Sequence, residues 1–190
     1  MELTDKRLRQ SLQLAYSAER AAAFAYIGHA GSLRDTTEKK AVQQIEQDEW
    51  DHRAHVLDIM RAYNVPISKW LELKYYIIGR LIGFSCYLIG RFMPYFFAGK
   101  LESGNVCEYF VMLHRFHALG ITTHDQLLYD MGVKEKEHEV YFLNLVKDAR
   151  WFPWFERVFS WGTRQSKNDI DLETLAALEE SEKYCRTHVR

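Results

Sequence analysis

Two Glu-x-x-His pairs, Glu49/His52 and Glu135/His138, stand where a helix that packs into a core would carry leucine or valine. Steps of three and four residues from 42 to 63 give the stripe Val42, Ile45, Glu49, His52, Val56, Ile59, Tyr63. The same steps from 128 to 149 give Leu128, Met131, Glu135, His138, Phe142, Leu145, Ala149. Residues so spaced share one face of a helix, so each pair sets a carboxylate and an imidazole one turn apart in the middle of an apolar seam. A buried carboxylate without compensation costs several kcal/mol or is driven to protonate, and the pattern therefore asks for a cation.

Two more seams supply the remaining carboxylates. Residues 8 to 29 read Leu8, Leu12, Ala15, Glu19, Ala22, Tyr26, His29, and residues 95 to 119 read Tyr95, Ala98, Glu102, Asn105, Tyr109, Met112, Phe116, Leu119. In chain order the seams offer Glu, then Glu and His, then Glu, then Glu and His. This is the inward-facing set with which a four-helix bundle holds two carboxylate-bridged metal ions. Four carboxylates balance two divalent cations. Glutamate oxygens can bridge and shift with oxidation state, while each neutral imidazole gives one firmer nitrogen ligand, a mixture that suits redox iron, or manganese, better than a closed tetrahedral zinc site. The three cysteines, Cys86, Cys107 and Cys185, form no C-x-x-C and offer no thiolate site.

With 8 histidines in 190 residues, a given Glu meets a His three places on about 4% of the time, so one pair alone is weak. Two pairs, each centred on a seam and each preceded by a seam Glu 30 or 33 residues upstream, are not. The competing structural reading is a bundle with buried salt-bridged layers, but Lys and Arg fall mostly off these seams.

These residues resemble the ferritin-like di-iron proteins, and within them the demethoxyubiquinone hydroxylase family of quinone biosynthesis. Glu19 with Tyr26 is similar to that family's first-helix Glu and Tyr, and Glu49 with His52 to its second-helix pair. Leu101-Glu102 and Glu108-Tyr109 resemble its third-helix Val-Glu and His-Tyr, and Lys-Glu-Lys-Glu-His at 134–138 its fourth. The likeness spans roughly residues 10 to 145. It departs where Glu108 stands for the family's His, and where Ser17-Ala18-Glu19 replaces its His-Ala-Gly-Glu opening. The resemblance implies a non-heme di-iron centre, an apolar quinone-like substrate, dioxygen and an electron donor as co-reactants, and peripheral association with a membrane.

The expected metal ligands are Glu19, Glu49, His52, Glu102, Glu135 and His138, with Tyr26, Tyr109 and Glu108 as neighbours of the metal. Glu108 is the alternative third-helix ligand. Its own seam, Leu101, Gly104, Glu108, Val111, Arg115, would put a charge on the inner face, which favours Glu102. Glu46, Glu137 and Glu139 lie beside the seams and are expected to be solvated, and His55, His114, His117 and His124 to be surface or packing residues.

The fold class expected is all-α, a ferritin-like four-helix bundle forming a single domain over 1–190. Its helices run from about Thr4 to Ala30, from Thr36 or Thr37 to before Pro66, to near Gly120, and from about Thr123 to Ala149. A long apolar crossover, 66–100, joins the second to the third, and a tail, 150–190, ends in a helical pattern at Ile170 to Tyr184. Residues 75–99 are apolar but for Arg80 and Arg91. One membrane pass there would separate ligands that must meet, and two would need about 40 residues. The segment therefore reads either as a crossover helix or as an interfacial one whose arginines snorkel. The aromatic run Trp151, Phe152, Trp154, Phe155, Phe159, Trp161 reads as part of that surface, a cap on the bundle, or a homodimer contact.

A net charge of -1 argues against a nucleic-acid partner. The charged start, Met1 to Gln10, has no apolar core of a secretory signal, and the odd, unpatterned cysteines fit a reducing compartment, so the expected location is cytoplasmic, or peripheral on the inner face of a membrane. Hydroxylation of an apolar substrate is the leading expectation. Rubrerythrin-like peroxidase, ferroxidase and manganese catalase are the enzyme alternatives, and a metal-stabilised bundle that binds membranes or protein partners is the non-enzyme one.

Overall fold

In a computed structural model, which describes residues 3–161, every element is helical. The order is α1 (Lys6–Ser32), α2 (Thr36–Ala62), α3 (Lys69–Ser85), α4 (Phe92–Ala118), α5 (Asp125–Val146) and α6 (Phe152–Phe159). The chain divides into two compact units, Met1–Pro94 and Tyr95–Arg190. The tail helix expected at 170–184 lies outside the described residues.

In the first unit, α1 follows an Asp5 cap whose carboxylate accepts from the Arg7 and Leu8 N–H groups, and its first residue, Lys6, comes two after Thr4. It runs on through Gly31 to Ser32, past the expected stop. Asp35 caps α2 through the Thr37 and Glu38 N–H groups, and the three-residue connection makes α1 and α2 antiparallel neighbours. The second helix ends in a left-handed Asn64 (φ 54), with the Val65 N–H on the Met60 carbonyl at 2.8 Å, just before Pro66.

The crossover is helical, as expected, but only from 69 to 85, and residues 92–99 already belong to α4. The third helix lies along α1, with backbone against backbone at its two glycines and with Tyr76 against Phe24 and Arg20 beside them. A Cβ on Gly28 would sit 2.2 Å from the Gly83 carbonyl oxygen, and one on Gly79 2.6 Å from that of Ala21. Charge completes the attachment. The Glu72 carboxylate takes Arg53 at 2.7 and 3.1 Å and Arg20 at 3.0 Å, while Arg53 also donates to the Tyr16 carbonyl and lies over the Tyr16 ring. Because its glycine face is spent on α1, the helix and the turn after it show the outside a stripe at three- and four-residue steps: Trp70, Leu73, Ile77, Leu81, Phe84, Leu88, all more than 45% exposed. No described helix is long and apolar enough to cross a membrane.

In the second unit, α4 and α5 run antiparallel, with Phe110 stacked on Tyr129 and seated on Gly132 near one end, and Gly99 and Tyr95 against Phe142 near the other. The aromatic run from 151 folds into the short helix α6, which the sequence pattern did not single out, and closes on α4. The Phe96 ring meets Phe152, Phe155, Phe159 and Trp161 with centroids 5.2–6.2 Å apart. This segment is thus a cap within the unit, although Trp151 and Trp154 stay exposed.

Candidate metal centre

Each unit brings three of the six expected ligands together. In the first, Glu19 projects from α1 among buried Leu12, Ala15 and Tyr26, and Glu49 and His52 project from α2 between buried Ile45 and Val56. Each offers a ligand atom, and these atoms lie within 4.8 Å of one another. In the second, Glu102 comes from α4, and Glu135 and His138 from α5, again within 4.8 Å. All six are at most 5% exposed. A helical repeat of 3.6 residues turns a spacing of three into adjacency, so Glu135 Oε2 lies 3.8 Å from His138 Nδ1.

The second set carries its own electrostatic signature. Burial drives the Glu102 carboxyl well above its usual range, and the neighbouring Glu135 adds to this by charge and hydrogen bond. His138 and the Asn105 amide, which donates to Glu102 Oε2 at 3.0 Å, act the other way. Two carboxylates this close and this dry cannot both ionise cheaply unless a cation joins them. Two negative charges per set match one divalent ion, and buried oxygen donors with one imidazole fit iron or manganese. Cys86 and Cys107 are free, buried and outside both sets. The donor chemistry therefore fits a metal ion.

Glu108 is only partly buried and is in neither set. Burial, then the charge of Glu135, pushes its carboxyl up to about 7. Tyr26 and Tyr109 are buried aromatics, at 5% and 1% exposure. His55 and His117 are exposed, and His114 and His124 intermediate.

One expectation is overturned. Glu139 is not solvated but buried beside His138, where it accepts from Lys136 Nζ at 2.7 Å and from the Trp161 indole N–H at 3.0 Å. Counting α5 as a single-seam helix hid this second buried face. The three-residue spacing of Lys136 and Glu139 was the available signal. Asn105 lies on its seam as the donor to Glu102, and the Arg53–Glu72 clamp joins residues nineteen positions apart, beyond any helical spacing.

No protein-family model, no curated protein and no solved structure matches the chain.

Proposed function

We propose that the chain is a di-iron oxygenase of the ferritin-like carboxylate type, one iron ion per Glu/Glu/His set, that hydroxylates an apolar, quinone-like substrate. The supporting observation is repetition: each unit carries two buried carboxylates and one buried imidazole within 4.8 Å, in the same chain order of a lone Glu on one helix followed by Glu-x-x-His on the next. Bound iron would supply the redox step, in which dioxygen, two electrons from an external donor and two protons give one oxygen to the product and one to water.

The chain's own residues do narrower work. Glu19, Glu49, Glu102 and Glu135 neutralise the ions, and His52 and His138 bind as neutral imidazoles. Asn105 holds Glu102 Oε2 and so fixes the orientation of that carboxylate. Seam neighbours such as Val56 and Phe142, both fully buried, keep bulk water out. The exposed stripe of α3 supports the apolar-substrate part of the reading, because a surface of this kind suits a lipid phase in which such a substrate dissolves.

Anaerobic loading with ferrous ion should give about two iron ions per chain by elemental analysis. Reductant, a quinone and labelled dioxygen should then give a product carrying one labelled oxygen atom. Less than one iron per chain with zinc in excess sinks the redox reading, and full iron without quinone turnover sinks the substrate class.

A further inference from the structure

The first unit contains a cleft of about 650 Å³ walled by the end of α1, the α1–α2 connection, the first turn of α2 and the turn after α3. This is the size range of small organic ligands and far more than a bare ion needs. Its charges are unevenly committed. The Asp35 carboxylate is occupied as the α2 cap, and Glu38 is held by Arg91, whose Nε lies 3.3 Å from its Oε2. Arg34, on the α1–α2 connection, makes no hydrogen bond or ion pair among the described residues. His29 lines the wall as a neutral ring at pH 7, since burial, with Glu38 opposing and Arg91 assisting, brings it down to about 4. Apart from Ser32, whose hydroxyl donates to the His29 carbonyl, and Gly90, the rest of the wall is apolar: Leu33, Cys86, Pro94 and the Tyr87 ring, which leads directly into exposed Leu88 and Ile89.

We propose that this cleft binds a phosphate ester with an apolar body, its phosphate between Arg34 and Arg91 and its body along Leu33, Tyr87 and Pro94. Two guanidinium groups from separate segments suit an anion with oxygens spread around a centre, whereas a planar carboxylate is served by one fork. Asp35 is held by the α2 N-terminus and Glu38 and Arg91 balance each other, so Arg34 carries the uncommitted charge of the wall, with the paired Arg91 beside it as the second guanidinium. Cleft volume and apolar walls require more than the phosphate. The site stands independently of the iron reading.

Isothermal titration with dihexanoyl phosphatidic acid, kept monomeric, tests it against inorganic phosphate. The lipid should bind at least tenfold more tightly than inorganic phosphate, and Arg34→Gln, which removes no hydrogen bond or ion pair within the described residues, should weaken the lipid about tenfold. Leu33→Asp should weaken the lipid and leave inorganic phosphate unchanged. Equal binding by Arg34→Gln and the parent protein overturns the site, and equal binding of inorganic phosphate and lipid overturns the apolar part. Phosphatidylcholine vesicles doped with phosphatidic acid then separate the sources. Capture that depends on Arg34 assigns a bilayer phospholipid, and monomer binding without capture assigns a soluble ester.

Discussion

The same three-residue ligand pattern is braced by charge in the first unit and by aromatic packing in the second. Around Glu19, Glu49 and His52, the helices are tied by Glu72 with Arg53 and Arg20, and by bare backbone contact at Gly28 and Gly83. Around Glu102, Glu135 and His138, the bracing comes from Phe96 and the α6 rings, with one buried Lys136–Glu139–Trp161 network. A scaffold held by a few directional contacts should fail abruptly when one is cut, while one held by many weak ring contacts should yield by degrees.

The largest effects are expected at the ligands. Glu49→Ala and Glu135→Ala should each lose at least one metal ion per chain, and with it turnover, because a cation left with a single carboxylate is under-neutralised. Glu102→Ala should behave like them while Glu108→Ala keeps its metal. Elemental analysis and dioxygen uptake decide both points, and metal retained in Glu102→Ala but lost in Glu108→Ala moves the ligand along α4.

Scaffold contrasts come next. Glu72→Ala removes the shared acceptor of Arg53 and Arg20, which keep their ring contacts, and should cost about 2 kcal/mol in urea unfolding. Trp161→Phe keeps the ring contacts but leaves the buried Glu139 oxygen one donor short, for about 1 kcal/mol. Equal losses for the two changes would erase the distinction between the braces. Gly28→Ala should cost about 2 kcal/mol, since its Cβ meets backbone that can yield only by moving a helix. Gly104→Ala, with open space around it, should stabilise α4 by about 0.5 to 1 kcal/mol.

A further contrast is in pH. His29 is lowered in the fold to about 4 from 6.5, so the folded state binds fewer protons than the unfolded chain, and stability present above pH 6.5 is lost as pH falls toward 4. Glu72 acts with the same sign at lower pH. Burial works to raise its carboxyl, but hydrogen bonds from Arg53 and Ser17 and the charges of Arg53 and Arg20 hold it below 4.5, so its contribution is lost as pH falls below that value. Over pH 7 to 4 His29 should therefore contribute a drop of about 3 kcal/mol in unfolding free energy, opposed by Glu108, whose carboxyl, raised to about 7, gains stability as pH falls, and His29→Gln should shift the slope toward greater acid stability by about the His29 amount. An unchanged slope would show that His29 gains no protection from protons in the fold.

Much of the site could be read from spacing because helices convert sequence distance into direction. Glu49 and His52 had to share a face once residues 42 to 63 were helical, and so did Glu135 and His138. The same rule put Glu102 on a seam with Tyr95, Tyr109 and Met112, all buried, and left Leu101 and Val111, on the competing Glu108 seam, exposed. It failed where burial came from a second direction. Glu139 and Lys136 lie off the main stripe of α5, and Trp161, at the end of the segment that carries α6, made that side interior as well.

Local chemistry accounts for the helices themselves: Asp5 and Asp35 as caps, Asn64 and Pro66 as a stop, and the apolar periodicity that names which face turns inward. Packing chose what no local pattern could. Residues 69–85 carry large apolar residues on more than one side, so periodicity could not say which side would face α1. Steric fit settled it, since only the face bearing Gly79 and Gly83 lets two backbones approach to contact, and Trp70, Leu81 and Leu88 were left outside as a consequence. Likewise Arg53 and Glu72, nineteen positions apart, become partners only when α3 lies down beside α1 and water leaves the space between them.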